Sequence, residues 1–310
     1  MLLQQFRSFY VRHFPNDMEH AIDMFSIFGG LGWEIDIDEP VEELLIKHIL
    51  DNYGHLYNEI SLLTLGDTHY HKLLSALAIS DRRLPSAFKR AHLSSAKGGM
   101  AINYLEKSGI LEIETSREEA PSKEYPKQKL KREVLRHRIS PKMRFTAPFL
   151  RFWFYFVAPH AHQIEEGNYD GVLQRFTERY HSYTSLVFEE LSNLFLIHLN
   201  QKDIIIDYGS YWDRQVEIDI LAHTYNGRTI VGECKWTNHK INKKELTKLL
   251  EKCERTDIKA DVIALFSKRG FSNELLSLKN EQLQLYSADD FERLVSNLTQ
   301  DDLIKGFSRP

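Results

Sequence analysis

Residues 214–236 read RQVEIDILAHTYNGRTIVGECKW. Apolar and polar side chains alternate on both sides of Asn226-Gly227. Such a pair between two alternating runs predicts a β-hairpin, because both central residues of a type I′ turn need positive φ. Strand side chains alternate with period two, which puts Glu217 and Asp219 on one face and Ile218 and Ile220 on the other. On the second strand Glu233 and Lys235 share a face and Cys234 points away. The turn is then expected to bring Asp219 towards Glu233 and Lys235. Charged groups in the middle of apolar strands carry a desolvation penalty, which a metal ion and a scissile phosphate would offset.

Outward from the hairpin, residues 183–199 (YTSLVFEELSNLFLIHL) predict a helix and residues 203–210 (DIIIDYGS) a strand. After it come a Lys-rich helix over 242–256, a strand over 260–267, a short helix, a strand over 283–286 and a closing helix over 289–297. The order αβββαβ with a βα extension is an α/β layer fold, taken to span residues 169–310.

Residues 1–65 read as helices separated by Gly29, Gly30 and Gly32. Residues 66–160 open with three helical patterns, over 68–80, 85–92 and 94–108. Two strand patterns follow, ILEIE (110–114) and VLRHRIS (134–140). Three helices and a two-stranded ribbon are the order of a winged helix. In that fold the third helix, here carrying Lys97 and Lys107, can lie in a major groove. A basic wing with Lys131 and Arg132 would grip phosphates, although the same module also serves as a protein docking surface. The aromatic connector FLRFWFYFVAPH (149–160) reads as packing between domains rather than as a base-stacking platform, since its rings fall on several helical faces. Residues 160–171 read as a linker, in which His160 and His162 have a metal-type spacing but no further ligand.

With 42% hydrophobic and 27% charged residues in 310, the composition is that of a soluble globular protein of two domains. The longest apolar run, 147–158, is interrupted by Arg151 and too short for a bilayer, and the N-terminal MLLQQFRSFYVRHF has no cleavable-signal pattern. A cytoplasmic location with no membrane partner is expected. Two cysteines exclude a disulfide framework and a four-cysteine zinc site. The net charge of -4 means that a nucleic acid would have to be held by a local patch. Residues 117–151, with eleven Lys/Arg against four Glu, offer one, either for phosphate contact or as a solvated basic loop. Lys244, Lys248 and Lys252, every four residues on one helix, either line a DNA backbone or form a solvated face.

Phosphodiester hydrolysis needs a hard divalent cation, which takes carboxylate oxygens. Asp219, thirteen intervening residues and Glu233-Cys234-Lys235, on hairpin strands behind an acidic helix, resemble the PD-(D/E)XK nuclease superfamily. The resemblance implies a restriction-endonuclease-like domain with Mg²⁺ or Mn²⁺ at Asp219 and Glu233. It adds a further Glu from the helix, matched by Glu189 in LVFEEL with Glu190 as the alternative. Lys235 would orient the attacking water or stabilise the developing charge. FEEL, YWDRQVEIDILA, VGECKW and ALFSKRGF also look like the C-terminal domain of the archaeal-type ATPase family. FSIFGGLGWEIDID, ILDNYGHLYNEI, YLEKSGILE and FLRFWFYFVAPH are similar to its lid, winged-helix and connecting segments, so residues 1–65 match the lid. No G-x-x-x-x-G-K-[ST] occurs, and ATP hydrolysis is therefore not expected. The expectation is a metal-dependent DNA endonuclease. The alternative is a non-catalytic DNA-binding or regulatory protein partnering a separate ATPase, with homodimerisation left open.

Overall fold

A computed structural model describes residues 1–118, 129 and 139–299. The chain opens with helices α1 (Leu2–His13) and α2 (Met18–Phe28), the second capped by the Asp17 carboxylate, which accepts the His20 amide. Next come α3 (Val41–Leu45), a π turn over Ile46–Leu50, α4 (Tyr53–Leu63), α5 (Thr68–Ile79), α6 (Leu84–Arg90) and α7 (Ser95–Lys107). Gly109, at φ 71°, then leads into β1 (Leu111–Glu114).

β1 pairs antiparallel with β2 (Lys142–Phe145), downstream of the expected VLRHRIS. Residues 134–138 of that string, and the wing cations Lys131 and Arg132, lie outside the described residues. Ile139 and Ser140 belong to neither helix nor strand. Lys142–Phe145 pairs with β1 along its whole length, and Met143 and Phe145 enter the core.

The aromatic connector forms α8 (Pro148–Phe152) and a π turn over Trp153–Val157. Phe149, Phe152, Trp153, Phe154 and Phe156 are fully buried. Trp153 stacks on Tyr53 at 5.4 Å, and Phe156 meets Tyr183 edge-on at 5.0 Å, so the rings are core and not a platform. Residues 160–171, expected as a linker, hold helix α9 (Ala161–Glu165) and the start of α10 (Asp170–Leu199). α10 begins well before residue 183 because Val172, Phe176 and Tyr180 carry the buried stripe of Tyr183, Val187 and Leu191 backwards at helical spacing.

Five strands follow: β3 (Ile205–Trp212), β4 (Glu217–Thr224), β5 (Thr229–Lys235), β6 (Val262–Ser267) and β7 (Leu283–Ser287), side by side in that order. β3, β4 and β5 are antiparallel neighbours, whereas β5, β6 and β7 run parallel. One face of this mixed sheet packs on α10 and a closing 3₁₀ helix (Ala288–Leu294), with Phe195 stacked on Phe291 at 4.9 Å. The other face is covered by α11 (Lys243–Thr256) and α12 (Asn273–Ser277), where Leu249, Cys253 and Leu275 meet Val231 and Leu265. The core on the α10 side is continuous with the N-terminal helices.

The hairpin around Asn226-Gly227 is present, but its turn is not type I′. Gly227 donates to the Thr224 carbonyl, and of the pair only Gly227 has positive φ, at 80°. That is a type I turn followed by a left-handed glycine, the usual three-residue hairpin. A second departure lies on β4. The β3–β4 register slips between Gly209↔Leu221 and Tyr211↔Ile218, a β-bulge. Ile218 therefore joins the core under α11 while Ile220 joins the one under α10. The expected shared face of these two isoleucines is broken at the residue between them, Asp219.

Candidate functional site

The bulge is what aims Asp219. The β4–β5 ladder ends at Ile220↔Gly232. Beyond it the Cys234 amide donates to Asp219 Oδ2 at 2.8 Å, so the acid is fixed by the backbone of the strand carrying Glu233 and Lys235. Burial first, and the negative charge of Glu233 second, raise the Asp219 carboxyl to about 7. The Cys234 thiol points the opposite way into the α10 core, where burial keeps it protonated.

Glu233 and Lys235 meet on the other face. Lys235 Nζ donates to Glu233 Oε1 at 2.6 Å, and Lys252 Nζ, from α11, reaches Glu233 Oε2 at 2.7 Å. Burial works against the Lys235 ammonium, but the Glu233 charge and hydrogen bond outweigh it and raise its pKa, so the lysine stays charged. Glu245 lies 3.8 Å from Lys235 and 2.6 Å from Lys248.

α10 supplies two adjacent acids with different partners. Burial and then the charge of Asp219 push Glu189 well above the ordinary carboxylate range. Glu190 instead lies 3.9 Å from Arg144, with Arg82 and Arg151 as further cationic neighbours. One turn on, the Asn193 amide donates to the Glu189 carbonyl, and its Oδ1 is buried with no partner among the described residues.

Among the described residues no group of three or more His, Cys, Asp and Glu side chains is spaced to hold a metal ion. The donor chemistry of the Asp219–Glu189 pair nevertheless fits a hard divalent cation. Both carboxyls are buried and raised, Glu189 by burial and then the charge of Asp219, and Asp219 by burial and then the charge of Glu233, so a proton or a cation is needed to offset their charge. Glu233 has both oxygens engaged by lysines and would have to release one to join. His160 and His162 do not converge on one centre: the first contacts Gln163 and the second Glu166.

The profile of a family described as archaea bacterial proteins of unknown function, DUF234, matches residues 153–249. The matched segment contains Glu189, Asp219, Glu233 and Lys235. It stops short of Lys252. The chain is also 25% identical, over 237 residues and 72% of its length, to an uncharacterized protein of Methanocaldococcus jannaschii. It spans about half of that relative, 49% of its length. No solved structure matches.

Outside the segment shared with that family, the β1–β2 ribbon is clamped to the edge of the sheet. The buried Lys142 ammonium pairs with Glu217 and lies over the Trp212 ring at 4.6 Å. The Trp212 amide donates to Ser116 Oγ at 2.9 Å, and Arg117 pairs with Asp207 at 3.1 Å. Gly209, at φ 148°, leaves room for that guanidinium, which a Cβ there would meet at 3.2 Å. Ribbon, α10 and β3 enclose a cleft of about 540 Å³ whose lining includes Glu189, Asn193 and Tyr208.

Lys97 and Lys107 are exposed on α7 and Lys244 at the start of α11. Lys248 is tied to Glu245, so with Lys252 turned to Glu233 the lysine row is not a free stripe. Among the described residues no helix is long and apolar enough to cross a membrane. Sequence reading did not assign Lys252, Arg82, Arg144 or Tyr208 to the site. Only Lys252 carried a signal, its four-residue spacing from Lys248 facing the hairpin.

Proposed function

We propose that the chain is a metal-dependent nuclease of the PD-(D/E)XK type acting on DNA, with Mg²⁺ or Mn²⁺ as cofactor. The observation that carries this reading is the buried Asp219, fixed by the Cys234 amide and acting through its charge on the buried Glu189, beside a charged Lys235. Asp219 and Glu189 would hold the cation, with Glu233 as a third donor once freed from Lys252. The bound ion would polarise a phosphoryl oxygen and lower the pKa of its water. Asp219 is held in place by the Cys234 amide, and Lys235, kept charged by Glu233, donates to the attacking water or to the charge that develops on the phosphate. The three helices and ribbon of residues 66–160 support a winged-helix contact to DNA, with Lys97 and Lys107 on the third helix. Cleavage of plasmid DNA by the purified protein with Mn²⁺, abolished in Asp219→Ala and Lys235→Ala, tests the assignment. Equal cleavage by the variants rejects it.

A second reading is favoured by the double lysine clamp on Glu233. Two cations already neutralise that acid, as in a nuclease fold retained as scaffold. In this reading the chain is a DNA-binding or regulatory protein that works with a separate ATPase, in line with its resemblance to the archaeal-type ATPase family. It requires salt-sensitive DNA binding and no cleavage under any divalent metal.

A further inference from the structure

Asn193, one turn after Glu189 on α10, carries a buried oxygen that accepts from nothing. The residue is only 9% exposed, and Oδ1 has no partner among the described residues. Its orientation is fixed from the other end of the amide. Nδ2 donates to the Glu189 carbonyl at 3.0 Å, and with the amide reversed two carbonyl oxygens would face each other. A buried acceptor left in this way costs free energy until a donor or a cation reaches it.

The surroundings favour a cation. Asn193 and Glu189 line the same cleft between ribbon, α10 and β3, and that lining holds five glutamates against three arginines, so its field draws positive charge. The arginines are themselves engaged, Arg82 with Glu114 at 3.2 Å, Arg117 with Asp207 at 3.1 Å and Arg144 with Glu112 at 2.6 Å. None of them donates to Asn193 Oδ1. Side chains four residues apart on a helix stand about 5–6 Å apart at Cβ, close enough for one ion to take an oxygen from each. An amide carbonyl is an ordinary ligand for a hard divalent cation and, being neutral, adds no repulsion to the carboxylates already there. Glu233, by contrast, has both oxygens held by lysines.

We infer that Asn193 Oδ1 is a ligand of the divalent cation, shared with the Glu189 carboxylate from the preceding turn of α10. The inference rests on the metal site of the nuclease reading and adds to it a neutral donor. Titration of the metal-free protein with Mn²⁺, followed by electron paramagnetic resonance in the wild type, Asn193→Leu and Asn193→Asp, tests it alongside the melting temperature of each metal-free protein. Asn193→Leu is expected to weaken Mn²⁺ binding roughly tenfold or more, as when a group supporting a metal site is removed. Its metal-free melting temperature should hold or rise, because an orphaned acceptor has gone. Asn193→Asp, which keeps an oxygen in place, should bind at least as tightly as the wild type. Unchanged affinity in Asn193→Leu, or weaker binding in Asn193→Asp, overturns the inference. So does a loss of affinity in Asn193→Leu that comes with a lower metal-free melting temperature, the mark of a merely structural amide. A wild type without saturable Mn²⁺ binding removes the metal site and the nuclease reading with it. Binding that depends on Asp219 but not on Asn193 removes this inference alone.

Discussion

The carboxylate of Asp219 accepts the backbone N–H of Cys234 at 2.8 Å, one step beyond the last β4–β5 ladder pair. A side chain thus replaces a backbone acceptor where the two strands part. The acid is thereby locked to the strand that bears Glu233 and Lys235, while its charge also acts on Glu189 across the sheet edge.

The lock has a pH signature. With the Asp219 carboxyl raised from 3.8 to about 7, the unfolded chain gives up this proton as pH rises through about 4, and the folded chain keeps it until about 7. Stability therefore falls over that window and the loss is complete above it, on the order of 4 kcal/mol if this group acted alone. Asp219→Asn, which keeps an acceptor for the Cys234 amide, is expected to raise the melting temperature of the metal-free protein at about pH 8, and much less at about pH 5. Thermal denaturation at both values checks this. A destabilised variant at the higher pH would contradict it.

Lys252 competes with any cation for Glu233. In Lys252→Gln one Glu233 oxygen is released, and the affinity for Mn²⁺ should rise several-fold by calorimetry. Unchanged affinity would remove Glu233 from the ligand set. The cost in stability should be about 1 kcal/mol, because Lys252 is partly open to solvent.

The ribbon anchor is separable from the chemistry. Lys142→Met loses the Glu217 pair and the contact with Trp212, but Glu217 is half exposed and regains water. A loss of about 1–2 kcal/mol in urea denaturation is expected. A loss beyond about 4 kcal/mol would mean that Glu217 is not rehydrated.

The turn offers a local check. Gly227→Ala forces a Cβ into the left-handed region and should cost about 1–2 kcal/mol, whereas Asn226→Ala should cost a few tenths. Equal losses at the two positions would restore the type I′ turn.

Much of the sheet was legible because strands and hairpin follow from local alternation around Asn226-Gly227. What escaped depends on partners distant in sequence. The bulge at Asp219 is set by β3, whose Gly209–Tyr211 slip no pattern within β4 records. The assignment of Glu189 towards Asp219 and Glu190 towards Arg144 turns on which helix face meets the sheet, and adjacent residues of one acidic pair look alike in sequence. The partner of β1 is KMRF rather than VLRHRIS, and what marks KMRF, the burial of Met143 and Phe145 against the core, depends on packing that four residues do not reveal. Lys252 sat on a row of equivalent lysines, and only the packing of α11 on the sheet singles it out.

Binding of Mn²⁺ to the metal-free protein, followed by electron paramagnetic resonance at about pH 8, tests the central claim most directly, since free and bound ion are counted separately. The account predicts one saturable site per chain that is lost in both Asp219→Asn and Glu189→Gln. Absence of saturable binding in the wild type, or binding that survives both substitutions, would contradict it.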